Sequence, residues 1–333
     1  MATGLDLVLG NLVSPIILFF LLGTFAGWAR SDLAIPEAVS KGLSLYLIVA
    51  IGFSGGSHLA EGSAGTALTA AALALILGFG LPFVAYALLR GTTRLDVVNA
   101  AAVSAHYGSV SVVTFVAATA FLTSQGVPYE GILVVMLAIM ETPAIISGLF
   151  LAKTFDQTSA AAGGSPGARP IFSATVGREI FLSGGVLLLL GSLLIGWATG
   201  AAGQELMKPV IDVPFKAVLA FFLLDMGLLV GRRLDSFRAI GWPLVAFGLF
   251  MPLVGAIAGL AGAWAAGFSA GGMALTAVLA GSASYIVVPA AMRMSLPAAN
   301  PGIYVTLSLG VTFPFNLVIG IPLYHGVASW LAG

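Results

Sequence analysis

Residues 105–111 read Ala105-His106-Tyr107-Gly108-Ser109-Val110-Ser111 and lie inside a long apolar run, residues 95–123. A second stretch of the same character, Gly281-Ser282-Ala283-Ser284-Tyr285, lies inside the apolar run 270–294. Backbone groups freed by a helix break are tolerated at membrane depth only beside a cavity, a ligand or other protein. The two stretches therefore predict two broken membrane helices.

The composition around these stretches is typical of a membrane protein. Of the 333 residues, 59% are apolar and 8% are charged, against about a quarter charged in a soluble domain. The formal net charge is zero and cysteine is absent, which argues against nucleic acid as a partner and excludes disulfides and thiolate metal sites. Met1 to Asp6 lack the basic segment of a cleavable signal peptide, so we expect the first apolar run to be retained. We therefore expect the chain to be surrounded by membrane lipid. Ten apolar runs are long enough to span the bilayer: 11–29, 34–57, 64–89, 95–123, 130–153, 177–199, 208–231, 239–267, 270–294 and 300–331.

The ten runs divide into two halves of five. The stretch from Gln157 to Pro170 is rich in Ala, Gly, Ser and Pro, as flexible linkers are. We therefore expect a first repeat over residues 1–156, a linker over 157–176 and a second repeat over 177–333. Alternate loops hold nearly all the arginine and lysine, Lys208 being the main exception. We expect a multi-pass protein of the plasma (inner) membrane. The positive-inside rule then predicts that the linker is cytoplasmic and that both termini lie outside the cytoplasm.

Sequence matches recur in the same order in the two halves, which indicates a duplication. The matched pairs are Gly27-Trp28-Ala29 with Gly196-Trp197-Ala198, Pro36 and Lys41 with Pro214 and Lys216, the two broken stretches, and Glu141-Thr142-Pro143 with Thr312-Phe313-Pro314. An odd number of spans in each half forces the second copy to insert upside down, the inverted-repeat plan of many secondary transporters. The predicted fold is an all-α integral membrane protein of about ten helices, with the fourth and ninth helices broken.

The broken stretches are the candidate substrate site, with Tyr107, Gly108, Ser109 and Ser111 on one side and Ser282, Ala283 and Ser284 on the other. Small residues let the backbone approach a ligand, and hydroxyl and N–H groups can hold an oxyanion beside the positive end of a half-helix. Glycine and serine also serve close helix packing in membranes. Two such stretches at matching repeat positions favour the binding site.

Ionisable residues inside the runs are the next candidates, because burying them costs energy. Glu141 adjoins Pro143, where we expect the helix to break. It either charges a cation site or binds a proton, or else it forms a structural pair with a neighbouring amide or hydroxyl. Asp225 is interpreted as structural, with Lys41 or Lys216 as its partner. His106 is interpreted as a hydrogen-bonding residue.

One pattern suggests an enzyme instead. Gly52-Phe53-Ser54-Gly55 fits the motif of intramembrane serine proteases, whose serine needs a histidine base from another helix. Two glycines in four residues are easily matched by chance in a chain with 43 glycines. Ten spans in an inverted duplication are also unlike that family, so we expect no enzymatic activity.

Two regions resemble the SbtA-type sodium-dependent bicarbonate transporters of cyanobacteria. One is Ile35-Pro36-Glu37-Ala38-Val39-Ser40 followed by Ile51-Gly52-Phe53-Ser54-Gly55-Gly56, and the other is Pro297-Ala298-Ala299-Asn300-Pro301 followed by Gly320-Ile321-Pro322-Leu323-Tyr324. The resemblance implies a Na⁺-dependent bicarbonate symporter that works into the cell, typically a homotrimer, with its site between the fourth and ninth helices. Regulation by a PII-like protein is known in that family, and the linker here is shorter than its cytoplasmic loop.

The sequence departs from the cyanobacterial pattern in two places. The Ser-Ser-Ser-Asp stretch of the ninth helix is Ser282-Ala283-Ser284-Tyr285 here, which loses a carboxylate, whereas the fifth-helix acid is kept as Glu141. We expect bicarbonate at the broken stretches and Na⁺, the coupling ion, close by on backbone carbonyls with Glu141 and Thr312. The alternative is a carrier of another small anion, a carboxylate or sulfite, coupled to H⁺.

Overall fold

The computed structural model describes residues 10–59, 64–155, 184–234 and 240–333, and these ranges fold into helices without a strand. Within these ranges, seven helices are long and apolar enough to cross a membrane, which confirms the expected class of fold. The predicted linker, 157–176, lies outside the described residues. The α-helices are α1 (Pro15–Trp28), α2 (Glu37–Leu59), α3 (Ala64–Thr92), α4 (Val97–Gly108), α5 (Val112–Ser124), α6 (Leu133–Phe155), α7 (Gly184–Arg232), α8 (Trp242–Ala265), α9 (Ala270–Ala280) and α10 (Val287–Ser295), followed by α11 (Pro301–Val305), α12 (Phe313–Phe315) and α13 (Ile321–Leu331).

Both predicted helix breaks are present. The fourth predicted span is α4 and α5, separated by Ser109, Val110 and Ser111 in extended conformation at both serines (φ −91°, ψ −177° and φ −105°, ψ 108°). The Ser111 hydroxyl caps α5 by accepting from the Thr114 N–H at 3.1 Å, as serine commonly does at a helix start. The ninth predicted span is α9 and α10, separated by residues 281–286.

The sixth and seventh predicted spans join in one helical run, α7. Gly200 interrupts the helical dihedrals of α7 with φ 56° and ψ −146°, so the run has two halves that meet at a kink. A residue with a Cβ is strained at this positive φ. The predicted spans 177–199 and 208–231 leave a loop over residues 200–207, and in the structure the kink falls at the first of these residues while 201–207 are helical.

Pro143 does not break its helix, contrary to expectation. α6 continues through it from Leu133 to Phe155. Gly78 of α3 lies beside the proline ring, so close that an added Cβ there would be 3.1 Å from the Pro143 Cβ. Packing by a neighbouring helix is what lets proline remain inside a membrane helix.

The last predicted span, 300–331, changes its winding instead of running as one α-helix. Two π-helical segments, Thr306–Thr312 and Asn316–Gly320, flank α12, which contains Pro314. The side-chain amide of Asn11 donates to the Leu317 carbonyl at 3.0 Å and to the Val318 carbonyl at 3.2 Å. It thereby supplies a partner for carbonyls that the altered winding presents to a buried environment.

α2 packs against the first half of α7 through glycine. An added Cβ at Gly52 would collide with the Leu189 carbonyl and the Ser192 side chain, and one at Gly56 would collide with the Leu193 carbonyl. This spacing of four residues is the close-packing pattern of membrane helices. Gly52, the first glycine of the protease-like motif, therefore serves helix packing in this structure.

α1 packs against the second half of α7 in the same register. An added Cβ at Gly227 would collide with the Phe20 carbonyl, and one at Gly231 would collide with the Thr24 carbonyl. Gly227 and Gly231 thus correspond to Gly52 and Gly56. In each interface the two carbonyls that the glycines contact are four residues apart, Phe20 and Thr24 in one and Leu189 and Leu193 in the other. The two interfaces are built to one pattern.

Candidate functional site

The two helix breaks are hydrogen-bonded to each other. The N–H of Ser111 donates to the Ser282 hydroxyl at 2.9 Å, and the N–H of Ser284 donates to the His106 carbonyl at 2.9 Å. Ser282 in turn donates to the Leu279 carbonyl at 3.0 Å. The breaks therefore satisfy part of each other's freed backbone, deep in the molecule, where Ser111, Ser282 and Ser284 are all buried.

Small residues are needed for the two breaks to meet. Gly108 lies against the ring of Pro82 so closely that an added Cβ would collide with it, and Gly281 lies against the Pro252 carbonyl. Ala283 is buried beside them. Each break then carries the same four-residue pattern, Gly-Ser-x-Ser, over residues 108–111 and 281–284.

A cavity of about 210 Å³ opens beside the breaks, and we name it the Lys41 cavity. Ser111 and Ser284 line it from the breaks, and Glu141 lines it from α6. The structure thus brings these three predicted site residues together. Three further polar or charged residues and three valines complete this part of the wall: Lys41, Ser44, Tyr285, Val110, Val112 and Val287.

The other predicted site residues lie behind this wall. Tyr107, Gly108, Ser109, Ser282 and Ala283 are buried at the breaks but do not line the cavity. Ser109 is the counterpart of Ser282, yet its hydroxyl has no hydrogen-bond partner within the described ranges. These residues shape the breaks, and one of them retains an unused hydroxyl.

Tyr107 and Thr312 form a tie between elements. The Tyr107 hydroxyl donates to the Thr312 hydroxyl at 2.7 Å, which donates to the Gly248 carbonyl at 2.7 Å. This chain joins α4, the first π-helical segment and α8. Thr312 does not line the Lys41 cavity, so the structure does not bring it together with Glu141 there.

Glu141 is buried and incompletely paired. Its side chain is 2% exposed, and its Oε2 atom has no hydrogen-bond partner among the residues that the structure describes. A buried carboxylate without a partner is costly unless it binds a proton or a cation. The described residues therefore provide no structural hydrogen-bond partner for Oε2.

The remaining polar candidates have structural partners. Asp225 accepts a hydrogen bond from Ser40, and across the described ranges it makes no ion pair with Lys41 or Lys216. The His106 Nδ1 atom lies 2.6 Å from the Ala102 carbonyl, and its ring stacks on Tyr304 with centroids 4.4 Å apart. The Asp225 contact agrees with the structural interpretation, whereas the buried Nε2 atom of His106 has no hydrogen-bond partner within the described residues.

The protease hypothesis lacks the geometry it needs. His58 is the nearest histidine in sequence to Ser54 and lies on the same helix, α2. Its Nδ1 atom lies 2.8 Å from the Ser54 backbone carbonyl. The ring nitrogen thus contacts the main chain of Ser54, where a catalytic base would contact the hydroxyl.

Lys41 and Ser44 line the cavity but were not predicted as site residues, whereas Tyr285, the last residue of the second predicted stretch, also lines it. Tyr285 lies within the second break, and its ring packs edge-on against Phe313 with centroids 5.5 Å apart. A lysine within an apolar run is a detectable signal, because membrane helices rarely carry one.

Comparison with known proteins identifies the family of the chain. A sequence model of the Na⁺-dependent bicarbonate transporter superfamily matches residues 15–329, nearly the whole chain. This match confirms the resemblance seen in the motifs. A search of curated proteins finds no match to the chain. Transport is the activity that this superfamily indicates, in place of enzymatic catalysis. The chain belongs to the Na⁺-dependent bicarbonate transporter superfamily.

Proposed function

We propose that the protein is a secondary transporter that carries bicarbonate into the cell together with Na⁺. The observation that carries the proposal is the cavity beside the paired helix breaks, where hydroxyl groups and one unpaired carboxylate meet. An oxyanion needs donors and a cation needs oxygen ligands, and this cavity supplies both. Membership of the superfamily supports the same substrates.

The anion would bind at the start of α5. Ser111 caps this helix of 13 residues, and its first N–H groups point toward the break. The positive end of a helix favours an anion, and the hydroxyls of Ser111, Ser284 and Tyr285 line the same space. Tyr107, Gly108, Ser109, Ser282 and Ala283 hold the backbone in the conformation that this requires.

Na⁺ would bind as cargo near the Glu141 carboxylate. Backbone carbonyls at the breaks provide the oxygen atoms that a hard cation prefers. Thr312, the further ligand proposed from sequence, lies outside this cavity. Binding the cation next to the anion reduces the cost of taking each out of water. That reduction is the physical basis for coupling the two.

The architecture that fits this function is ten spans in two inverted repeats, residues 1–156 and 177–333, around a linker over 157–176. The equal registers of Gly52 and Gly56 in one interface and Gly227 and Gly231 in the other support the duplication. The proposal also places the protein in the inner membrane, with both termini on the side away from the cytoplasm. From the family resemblance it also includes a homotrimer.

Uptake of labelled bicarbonate into proteoliposomes tests the function. We expect uptake to require an inward Na⁺ gradient and to survive a protonophore. Vesicles that contain folded protein but take up no bicarbonate would contradict the proposal.

One observation favours a second candidate, an H⁺-coupled carrier of another small anion such as a carboxylate or sulfite. The unpaired Oε2 of Glu141 can carry a proton as readily as it can face Na⁺. Uptake that is abolished by the protonophore and indifferent to Na⁺ would support this candidate over the first.

A further inference from the structure

A second cavity, of about 580 Å³, lies beyond the first along α2 and α5, and we name it the Lys216 cavity. On α2, residues 41–48 contribute to the Lys41 cavity and residues 50–58 to the Lys216 cavity. On α5, Val112 and Val113 line the former, and Thr119 and Thr123 line the latter. The two cavities therefore follow each other along the same pair of helices.

An apolar layer separates the cavities. Ile48 and Val116 close the end of the Lys41 cavity, and Ile51 and Phe115 close the facing end of the Lys216 cavity. All four side chains are buried, with 8% exposure or less. Ile48 and Ile51 are about one helical turn apart, roughly 5 Å. A solute that crosses the protein along these helices has to pass this layer.

Each cavity carries one lysine and one carboxylate. Lys41 and Glu141 line the first, and Lys216 and Asp212 line the second. Neither lysine makes an ion pair in the part of the chain that the structure describes. A pair of opposite charges in each cavity suits a carrier of an anion together with a cation.

The two lysines occupy equivalent positions. Lys41 precedes Gly52 by the same number of residues as Lys216 precedes Gly227, and these glycines make the matched contacts with α7 and α1. The lysines nevertheless lie toward opposite ends of the helices. Arg232, at the end of α7, donates to the Leu33 carbonyl at 2.8 Å and so lies near the start of α2, whereas Lys216 precedes it by sixteen residues, roughly 24 Å of helix.

We propose that Lys41 and Lys216 are the anion-selecting residues at the two mouths of the transport path, each drawing the anion into its own cavity from one side of the membrane. The inference rests on the proposed function in taking an anion as the substrate. A cavity with low-dielectric walls focuses the field of one unpaired ammonium and raises the local anion concentration. Each lysine should therefore govern binding from its own side only.

Sided kinetics test the proposal in reconstituted vesicles of uniform orientation. Lys216→Gln should raise the KM for bicarbonate about 3- to 10-fold on one face and leave the other face unchanged, and Lys41→Gln should do the reverse. Lys→Arg at either position should restore the KM, because the charge is kept. Lys208→Gln is the matched control, since Lys208 is exposed, lines neither cavity and pairs with Glu205 at 3.7 Å. Wild-type KM values on both faces in both glutamine variants would overturn the proposal.

A second measurement does not depend on the substrate. The chain has no native cysteine, so Ser44→Cys places a single thiol in the Lys41 cavity and Ser54→Cys places one in the Lys216 cavity. The ratio of modification rates by sulfonate and trimethylammonium methanethiosulfonates should fall about 3- to 10-fold when the lysine of the same cavity becomes glutamine. The ratio at the other cavity should not change.

The two measurements separate the possible failures. If the ratio of modification rates falls on the lysine substitution in a protein that takes up no bicarbonate, the anion-selecting role of the lysines stands and the proposed substrate is refuted. A ratio that ignores both substitutions, in protein that remains monodisperse in detergent, would refute the role of the lysines whatever is transported.

Discussion

The backbone N–H of Ser111 donates to the hydroxyl of Ser282 at 2.9 Å, across two helix breaks that are 171 residues apart in the chain. Ser109 holds the position equivalent to Ser282 in the first break, but its hydroxyl has no partner within the described ranges. The Ser284 N–H, which is equivalent to that of Ser111, donates to the His106 carbonyl. The breaks are thus alike in sequence and unlike in hydrogen bonding.

Ser282→Ala should destabilise the protein, because it leaves the buried Ser111 N–H without its acceptor. We expect a loss of about 1–3 kcal/mol in the free energy of unfolding, together with weaker anion binding. Thermal unfolding in detergent measures the first and the KM for uptake the second. Ser109→Ala is the matched control and should unfold within about 0.5 kcal/mol of wild type. Equal losses in the two variants would contradict the assigned hydrogen bond.

Glu141→Gln should abolish the dependence on the coupling ion while the fold remains. The amide keeps the shape of the side chain but cannot supply the negative charge that a cation needs. We expect Na⁺-stimulated uptake to fall at least about tenfold, equivalent to 1.4 kcal/mol. Glu205→Gln is the control, since Glu205 is exposed and lies on the surface with Lys208. Retention of the full Na⁺ stimulation by Glu141→Gln would exclude the carboxylate from the cation site.

Gly56→Ala and Gly231→Ala should have similar effects, since each new Cβ would meet the backbone of a packed helix. We expect each to cost about 1–3 kcal/mol through overpacking. Gly191→Ala in α7 is the control, because an added Cβ there has nothing within 4 Å. Thermal unfolding of the three variants provides the measurement. A large cost at only one of the two glycines would argue against a shared packing pattern.

Tyr107→Phe and Tyr285→Phe should differ in kind. Tyr107 ties Thr312 from behind the cavity wall, so its hydroxyl should contribute about 1 kcal/mol to stability and little to the KM. Tyr285 lines the cavity, so loss of its hydroxyl should raise the KM for the anion several-fold. Uptake kinetics and unfolding of both variants test this division. A raised KM in Tyr107→Phe, with an unchanged KM in Tyr285→Phe, would indicate instead that Tyr107 binds the substrate.

The sequence was informative where residue type alone determines the outcome. Apolar run length predicted membrane-spanning helices, and seven helices in the described ranges are long and apolar enough to span. The Gly-Ser-x-Ser stretches located both breaks, because they recur at matching positions of the two halves. Glu141 was identified because an acidic side chain is costly to bury at membrane depth and usually has a function there. These inferences depend on local composition, which a single sequence displays.

Other features depend on contacts that a single sequence does not display. Pro143 was expected to break α6, but Gly78 of the neighbouring α3 lies against it and the helix continues. Thr312 was grouped with Glu141 by position in the repeat, whereas its hydroxyl is engaged by Tyr107 and Gly248. Lys41 and Ser284 line the same cavity because of how their helices pack, and no spacing rule predicts this from the sequence.

The apolar layer formed by Ile48, Ile51, Phe115 and Val116 has an electrical consequence. Water in the Lys41 and Lys216 cavities would extend the two aqueous phases inward, so the membrane voltage would fall mainly across the layer between them. Moving one elementary charge through that voltage is worth about 2.3 kcal/mol per 100 mV. A displacement of roughly 5 Å, one turn of helix, would then carry a bound ion through nearly the whole field, and turnover of any electrogenic cycle would respond steeply to voltage with little motion of the protein.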